Sequence, residues 1–184
     1  MATTHRTTRR AFLGSTALAG ATAAFGGTGA SAQSHPKYGE SDYQFEIMRT
    51  DEEWRGILTE YEHSILRLGG TEWPKSNPLW EDYREGAFSC RGCDLDLYSS
   101  DHRVELNKGW VFFAHSQPNA VLTGIDTGSP YSPNASMSET KRRKALIEAH
   151  CRRCGSHLGH ILIISGKLVH CINGTSLKFD PSTA

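Results

Sequence analysis

Apolar positions change their spacing near residue 86, and that change divides the chain into two structural regimes. From Trp54 onward, Ile57, Leu58, Tyr61, Ile65 and Leu68 recur at helical intervals. Thr50-Asp51-Glu52-Glu53 precedes them as a capping box, in which a hydroxyl and a carboxylate satisfy opposing backbone donors. Gly69-Gly70 follows as a stop. The pattern predicts one core-facing helix over 50–68 with no chemistry of its own.

Beyond Gly86 the apolar residues fall in short runs broken by turns. Ala87–Ser89, Asp96–Tyr98, Gly109–Ala114, Ala120–Gly124, His160–Ile164 and Lys167–Cys171 are predicted strands. Ser165-Gly166-Lys167 reads as a hairpin turn between the last two. Thr127–Ser138, rich in Gly, Pro, Ser and Asn, reads as a surface loop. The expected product is a mainly β, mostly antiparallel domain with an N-terminal helical segment.

The first residues belong to another category. Arg9-Arg10-Ala11-Phe12-Leu13 is a twin-arginine pair leading into a weakly apolar stretch rich in Ala and Gly, and Ala30-Ser31-Ala32 is a small-x-small cleavage site. That order predicts an export signal over 1–32 and a destination beyond the inner membrane, periplasmic or secreted, by the twin-arginine route. The stretch is diluted by Gly and Thr and falls short of the ~20 strongly apolar residues of a membrane span, so no stable anchor is expected after cleavage. Residues 33–49 read as a flexible leader and 50–184 as the folded domain.

Charge narrows the partners. The chain has 20 basic and 20 acidic residues. The signal carries Arg6, Arg9 and Arg10 and no acid, so the mature part is slightly acidic, which argues against nucleic acid as a partner. The run Lys141-Arg142-Arg143-Lys144 reads as a solvated local feature.

The five cysteines carry the chemistry. Cys90-Arg91-Gly92-Cys93 and Cys151-Arg152-Arg153-Cys154-Gly155 are two Cys-x-x-Cys knuckles. Each lets a tight turn present two sulfurs to one metal, and together they make a closed tetrahedral four-sulfur zinc site of structural type. Export after folding would let the thiolates load metal in a reducing compartment. Cys171 is left over. His157-Leu158-Gly159-His160 follows directly on the second knuckle, so two histidines and a thiol supply the parts of a thiolate nucleophile with nearby proton donors.

Several motifs in order resemble the methionine-R-sulfoxide reductase B family over about residues 50–180. They are Glu85-Gly86-Ala87-Phe88-Ser89-Cys90, Leu97-Tyr98-Ser99-Ser100-Asp101, Gly109-Trp110, Glu148, Cys154-Gly155-Ser156-His157-Leu158-Gly159-His160, Cys171-Ile172-Asn173 and Leu177-Lys178-Phe179. The resemblance implies two antiparallel sheets with a structural zinc ion, and reduction of the R epimer of methionine sulfoxide, in oxidised proteins or free. It implies Cys171 as nucleophile, His157 and His160 as the pair that hydrogen-bonds and protonates the sulfoxide oxygen, Asn173 as a pocket residue and Trp110 as the wall receiving the substrate methyl.

Three departures from the family pattern stand out. Val169 replaces an arginine two residues before the nucleophile, with His170 as the neighbouring candidate cation. Gly109-Trp110 continues as Val111-Phe112-Phe113 rather than Pro-Ser-Phe. Leu106-Asn107-Lys108 offers no resolving cysteine, so an active enzyme would leave a Cys171 sulfenic acid for an external thiol, thioredoxin-like or small, to reduce. The competing expectation is a zinc-stabilised β module that has lost turnover and binds a partner or oxidised peptides. A third is a redox protein cycling disulfides through its Cys-x-x-Cys pairs.

Overall fold

The computed structural model describes residues 43–126 and 146–183. The expected export signal, the first part of the leader, the loop over 127–138 and the basic run 141–144 lie outside those residues. Among the described residues no helix is long and apolar enough to cross a membrane.

The single expected helix is two. α1 spans Asp51–Ile57 and α2 spans Glu60–Leu66. Each starts with its own capping box, Thr50 with Glu53 and Thr59 with Glu62. Thr59-Glu60-Tyr61-Glu62 repeats the signature of the first start, and Leu58 between them is extended (φ −113°, ψ 144°). A second set of satisfied donors therefore competes with helix continuation and wins. His63 of α2 reaches back to Asp51 of α1 at 2.7 Å and locks the bend.

Among the described residues eight strands follow: β1 Gly86–Cys90, β2 Asp96–Ser99, β3 Val111–Phe113, β4 Val121–Asp126, β5 Leu146–Cys151, β6 His157–Ile164, β7 Lys167–Ile172 and β8 Leu177–Pro181. They form a three-stranded sheet in the order β2-β1-β8 and a five-stranded sheet in the order β3-β7-β6-β5-β4. Every pairing is antiparallel. Phe88 of the small sheet meets Phe113 of the large one edge-on at 5.1 Å, and Tyr98 stacks on Phe113 at 4.2 Å. These rings fill the space between the sheets together with Leu97, Val111, Ala149, Leu158, Ile172 and Leu177. The β6–β7 hairpin closes on Ser165 and Gly166, both at positive φ (52° and 78°), the backbone that a two-residue turn between twisted strands requires.

Two strands were not visible in the sequence pattern. β5 is inverted: Leu146 and Ile147 are exposed while Glu148 and His150 are buried, the reverse of what alternation rewards. β8 is short and ends at a proline, at the edge of the small sheet. Residues 43–49 are pinned to the second knuckle: Tyr43 Oη donates to the Arg152 carbonyl at 3.1 Å, and Ile47 N to that of Arg153 at 3.0 Å.

Candidate active site and metal centre

The four knuckle cysteines converge. Their sulfurs all lie within 4.8 Å of one another, and no other such group of three or more potential ligands occurs among the described residues. The two turns share one backbone design. Cys90 N–H donates to the Leu95 carbonyl (2.8 Å) and Cys151 N–H to that of Ser156 (2.9 Å). The Cys90 carbonyl accepts from Asp94 N–H (2.8 Å) and that of Cys151 from Gly155 N–H (2.9 Å). Asp94 and Gly155, each just after the second cysteine, both take left-handed backbone (φ 59° and 68°). Gly92 is needed for close approach, since a Cβ there would lie 2.9 Å from Ser156 Oγ. Four buried soft donors at these separations fit a tetrahedral metal ion. Cys90 ends β1 and Cys151 ends β5, so an ion held here bolts the small sheet to the large one.

The leftover thiol lies on β7. Cys171 pairs with His160 of β6 on one side and Phe112 of β3 on the other. Directly paired residues share a face of the sheet, and the same ladder row adds Glu148 of β5, opposite His160. β6 passes close to the backbone of Cys171: a Cβ on Gly159 would sit 2.1 Å from the Cys171 carbonyl oxygen.

His157, three residues before His160, belongs by simple alternation on the opposite face. The β5–β6 register slips between Ala149 and His150, so that His150 pairs with His157 and Leu158 becomes surplus. This bulge turns His157 onto the face of His160. The two imidazoles then lie 5.3 Å apart. Each is held by a carboxylate through a different nitrogen: His157 Nδ1 bonds Glu148, and His160 Nε2 bonds Asp126 of β4 at 2.8 Å. Burial holds His157 below the ordinary histidine range. A neutral ring donating from Nδ1 leaves Nε2 as an acceptor, and that atom is buried without a hydrogen bond among the described residues.

Cys171 is half-buried, and burial pushes its thiol up to about 12, with the Glu72 carboxylate acting in the same direction. Neither neighbouring position offsets this. Val169 is buried on the face of Cys171. His170 points to the other face, where Nδ1 meets Tyr98 Oη at 3.1 Å and burial lowers its basicity.

The other two predicted residues converge on a residue that sequence reasoning missed. Asn173 is buried, with Oδ1 accepting from Glu72 N–H (3.1 Å) and Nδ2 donating to the carbonyls of Leu158 (3.2 Å) and Gly70 (3.5 Å). Trp110 Nε1 donates to the Glu72 carbonyl at 3.2 Å. Glu72 sits among the residues after Gly70 where no periodic pattern marks it, and only its burial reveals it.

The family model described as SelR domain matches residues 58–181. The chain is similar to peptide methionine sulfoxide reductase B5 of Oryza sativa subsp. japonica, 34% identical over 140 residues covering 73% of this chain and 92% of that protein. It is similar to peptide methionine sulfoxide reductase MsrB of Leifsonia xyli subsp. xyli, 32% identical over 148 residues, 78% of this chain and 96% of that protein. It is also similar to the MsrB of Agrobacterium fabrum, 33% identical over 139 residues, 73% of this chain and 93% of that protein.

Proposed function

Since the chain belongs to the SelR-domain family of peptide methionine sulfoxide reductases B, oxidoreductases acting on methionine sulfoxide, we propose a one-cysteine enzyme that reduces the R epimer through a Cys171 sulfenic acid. The observation that carries this reading is the shared face on which Cys171 pairs with His160 and the bulge delivers His157.

The Cys171 sulfur attacks the substrate sulfur as the sulfoxide oxygen takes up a proton. That oxygen passes to Cys171, leaving methionine and a sulfenic acid. An external thiol then displaces water from the sulfenic acid to form a mixed disulfide. A second thiol releases Cys171 as the thiol and departs with the first as a disulfide. His157 and His160 orient the oxygen and move its proton, each steadied by its carboxylate. Trp110 receives the substrate methyl, and Asn173 holds the pocket wall. The reductant is thioredoxin-like or a small thiol, and the substrates are oxidised proteins or free methionine sulfoxide.

Cys90, Cys93, Cys151 and Cys154 would hold one zinc ion, whose contribution in a closed four-sulfur shell is structural. The twin-arginine pair and Ala30-Ser31-Ala32 support export of the folded protein to the periplasm or beyond.

A second reading has one observation in its favour: buried Val169, rather than a cation, lies beside Cys171 on its face of the sheet, which suits a β module that binds a partner or oxidised peptides without reducing them. Protein beginning at Gln33 is assayed with separated R and S epimers of a blocked methionine sulfoxide, dithiothreitol as reductant and Cys171→Ser as control. Turnover of R alone, lost in the variant, is the expected result. Absence of turnover in folded, metal-loaded protein would leave the binding module.

A further inference from the structure

One buried carboxylate organises the pocket wall beyond the nucleophile. Glu72 is 1% exposed. Its oxygens accept from the N–H of Gly174 (2.7 Å), the N–H of Thr175 (2.8 Å) and the Thr175 hydroxyl (2.7 Å). Its own N–H reaches Asn173 and its carbonyl reaches Trp110. One residue thus holds both predicted pocket residues and the 3-10 turn Gly174–Ser176 that begins three positions after Cys171.

All of its partners among the described residues are neutral dipoles; none is a cation. A buried carboxylate without a counter-ion is an expensive way to hold a turn, and an uncharged acceptor would satisfy part of the same donor set at lower desolvation cost. That expense points to a use for the charge. The other titratable groups on the face of Cys171 are His160 and His157 of β6, Glu148 and His150 of β5 and Asp126 of β4, and both acids are engaged by a histidine. Glu72 is the acid whose partners leave its charge uncompensated.

We propose that Glu72 is a positioning residue for the reaction at Cys171: its main chain sets Trp110 and Asn173, and its carboxylate, bound to the N–H groups of Gly174 and Thr175, fixes a negative charge on the turn that follows Cys171. Burial and charge act on the thiol in the same direction, consistent with this role. A neutral resting thiol resists adventitious oxidation, because the thiolate is the form that oxidants attack. The role in turnover rests on the reductase reading; the effect on the thiol does not.

The test uses metal-loaded protein from Gln33 onward and two readouts: iodoacetamide alkylation of Cys171 at pH 8, followed on the peptide that carries it, and kcat on the R sulfoxide. Glu72→Gln removes the charge and turns an N–H group toward one of the turn's donors. Alkylation is expected to quicken about tenfold, the effect of roughly one pKa unit, while kcat falls about tenfold as the wall loosens. A purely structural residue would not quicken alkylation in that way. Glu72→Asp keeps the charge and shortens the reach, so kcat falls while alkylation stays at the wild-type rate. Unchanged or slower alkylation in Glu72→Gln overturns the proposal, and so does faster alkylation with undiminished kcat. If wild-type protein shows no turnover, the reductase reading fails while the alkylation comparison still decides what the charge does.

Discussion

His160 and Cys171 are directly paired across the β6–β7 ladder, and His160 is held from its far side by Asp126 at 2.8 Å. The thiol and the imidazole beside it are thus fixed by backbone register rather than by loop geometry, and the carboxylate sets the ring's orientation. Replacing Asp126 with Asn should lower kcat about 10- to 100-fold, the cost typical of losing a supporting contact to a functional histidine. KM should change little, because Asp126 is separated from the substrate by the ring. Steady-state kinetics on the R epimer separate the two parameters.

The Cys171 thiol, pushed up to about 12, is about one part in ten thousand thiolate at pH 8. A raised thiol pKa means that reactivity is gained as pH rises. Alkylation should therefore increase close to tenfold per pH unit from pH 8 to 11, and a plateau near pH 8 would contradict the burial argument.

Val169→Arg places a cation on the nucleophile's face and should lower the thiol pKa by about 1–3 units. It also forces a long charged side chain into a site that is 1% exposed, so the melting temperature should fall at the same time. Faster alkylation together with a lower melting point is the expected pair of results.

Cys93→Ser removes one of four ligands that join the two sheets. Structural zinc supplies about 10 kcal/mol or more in small domains, as much as the whole stability of an ordinary domain. The variant should lose the metal and melt far below the wild type, or fail to fold. Metal analysis and circular dichroism read both, and full metal retention would assign the ligand set differently.

Thr59→Ala removes the hydroxyl that caps α2 and should cost about 1 kcal/mol in urea unfolding, with activity intact.

Much of this architecture was legible in the chain. The two knuckles announced themselves because metal ligation demands a fixed spacing, and the Ser165-Gly166 turn because only certain residues accept its backbone. The α1–α2 break was equally written, in Thr59 and Glu62, but the continuous apolar stripe from Trp54 to Leu68 masks it. β5 was hidden for a physical reason: a strand that carries Glu148 and His150 inward and Leu146 outward obeys the site's chemistry rather than the hydrophobic rule. Glu72 left no trace, because its importance lies in hydrogen bonds to residues about 100 positions away and no local pattern encodes such partners.

The surplus residue Leu158 gives the site a parity. With an odd number of residues between the two histidines, both would face the same side in any regular strand. The chain has two, Leu158 and Gly159, and one bulge restores agreement. Excising Leu158 would remove the bulge yet keep every titrating group and every metal ligand. The ladder could then run regularly, with Ala149 opposite Gly159 and His150 opposite His157, but the core would lose a fully buried side chain and Asn173 the carbonyl it holds. The residue that is surplus to the sheet is thus the one that joins its core face to the wall beside Cys171.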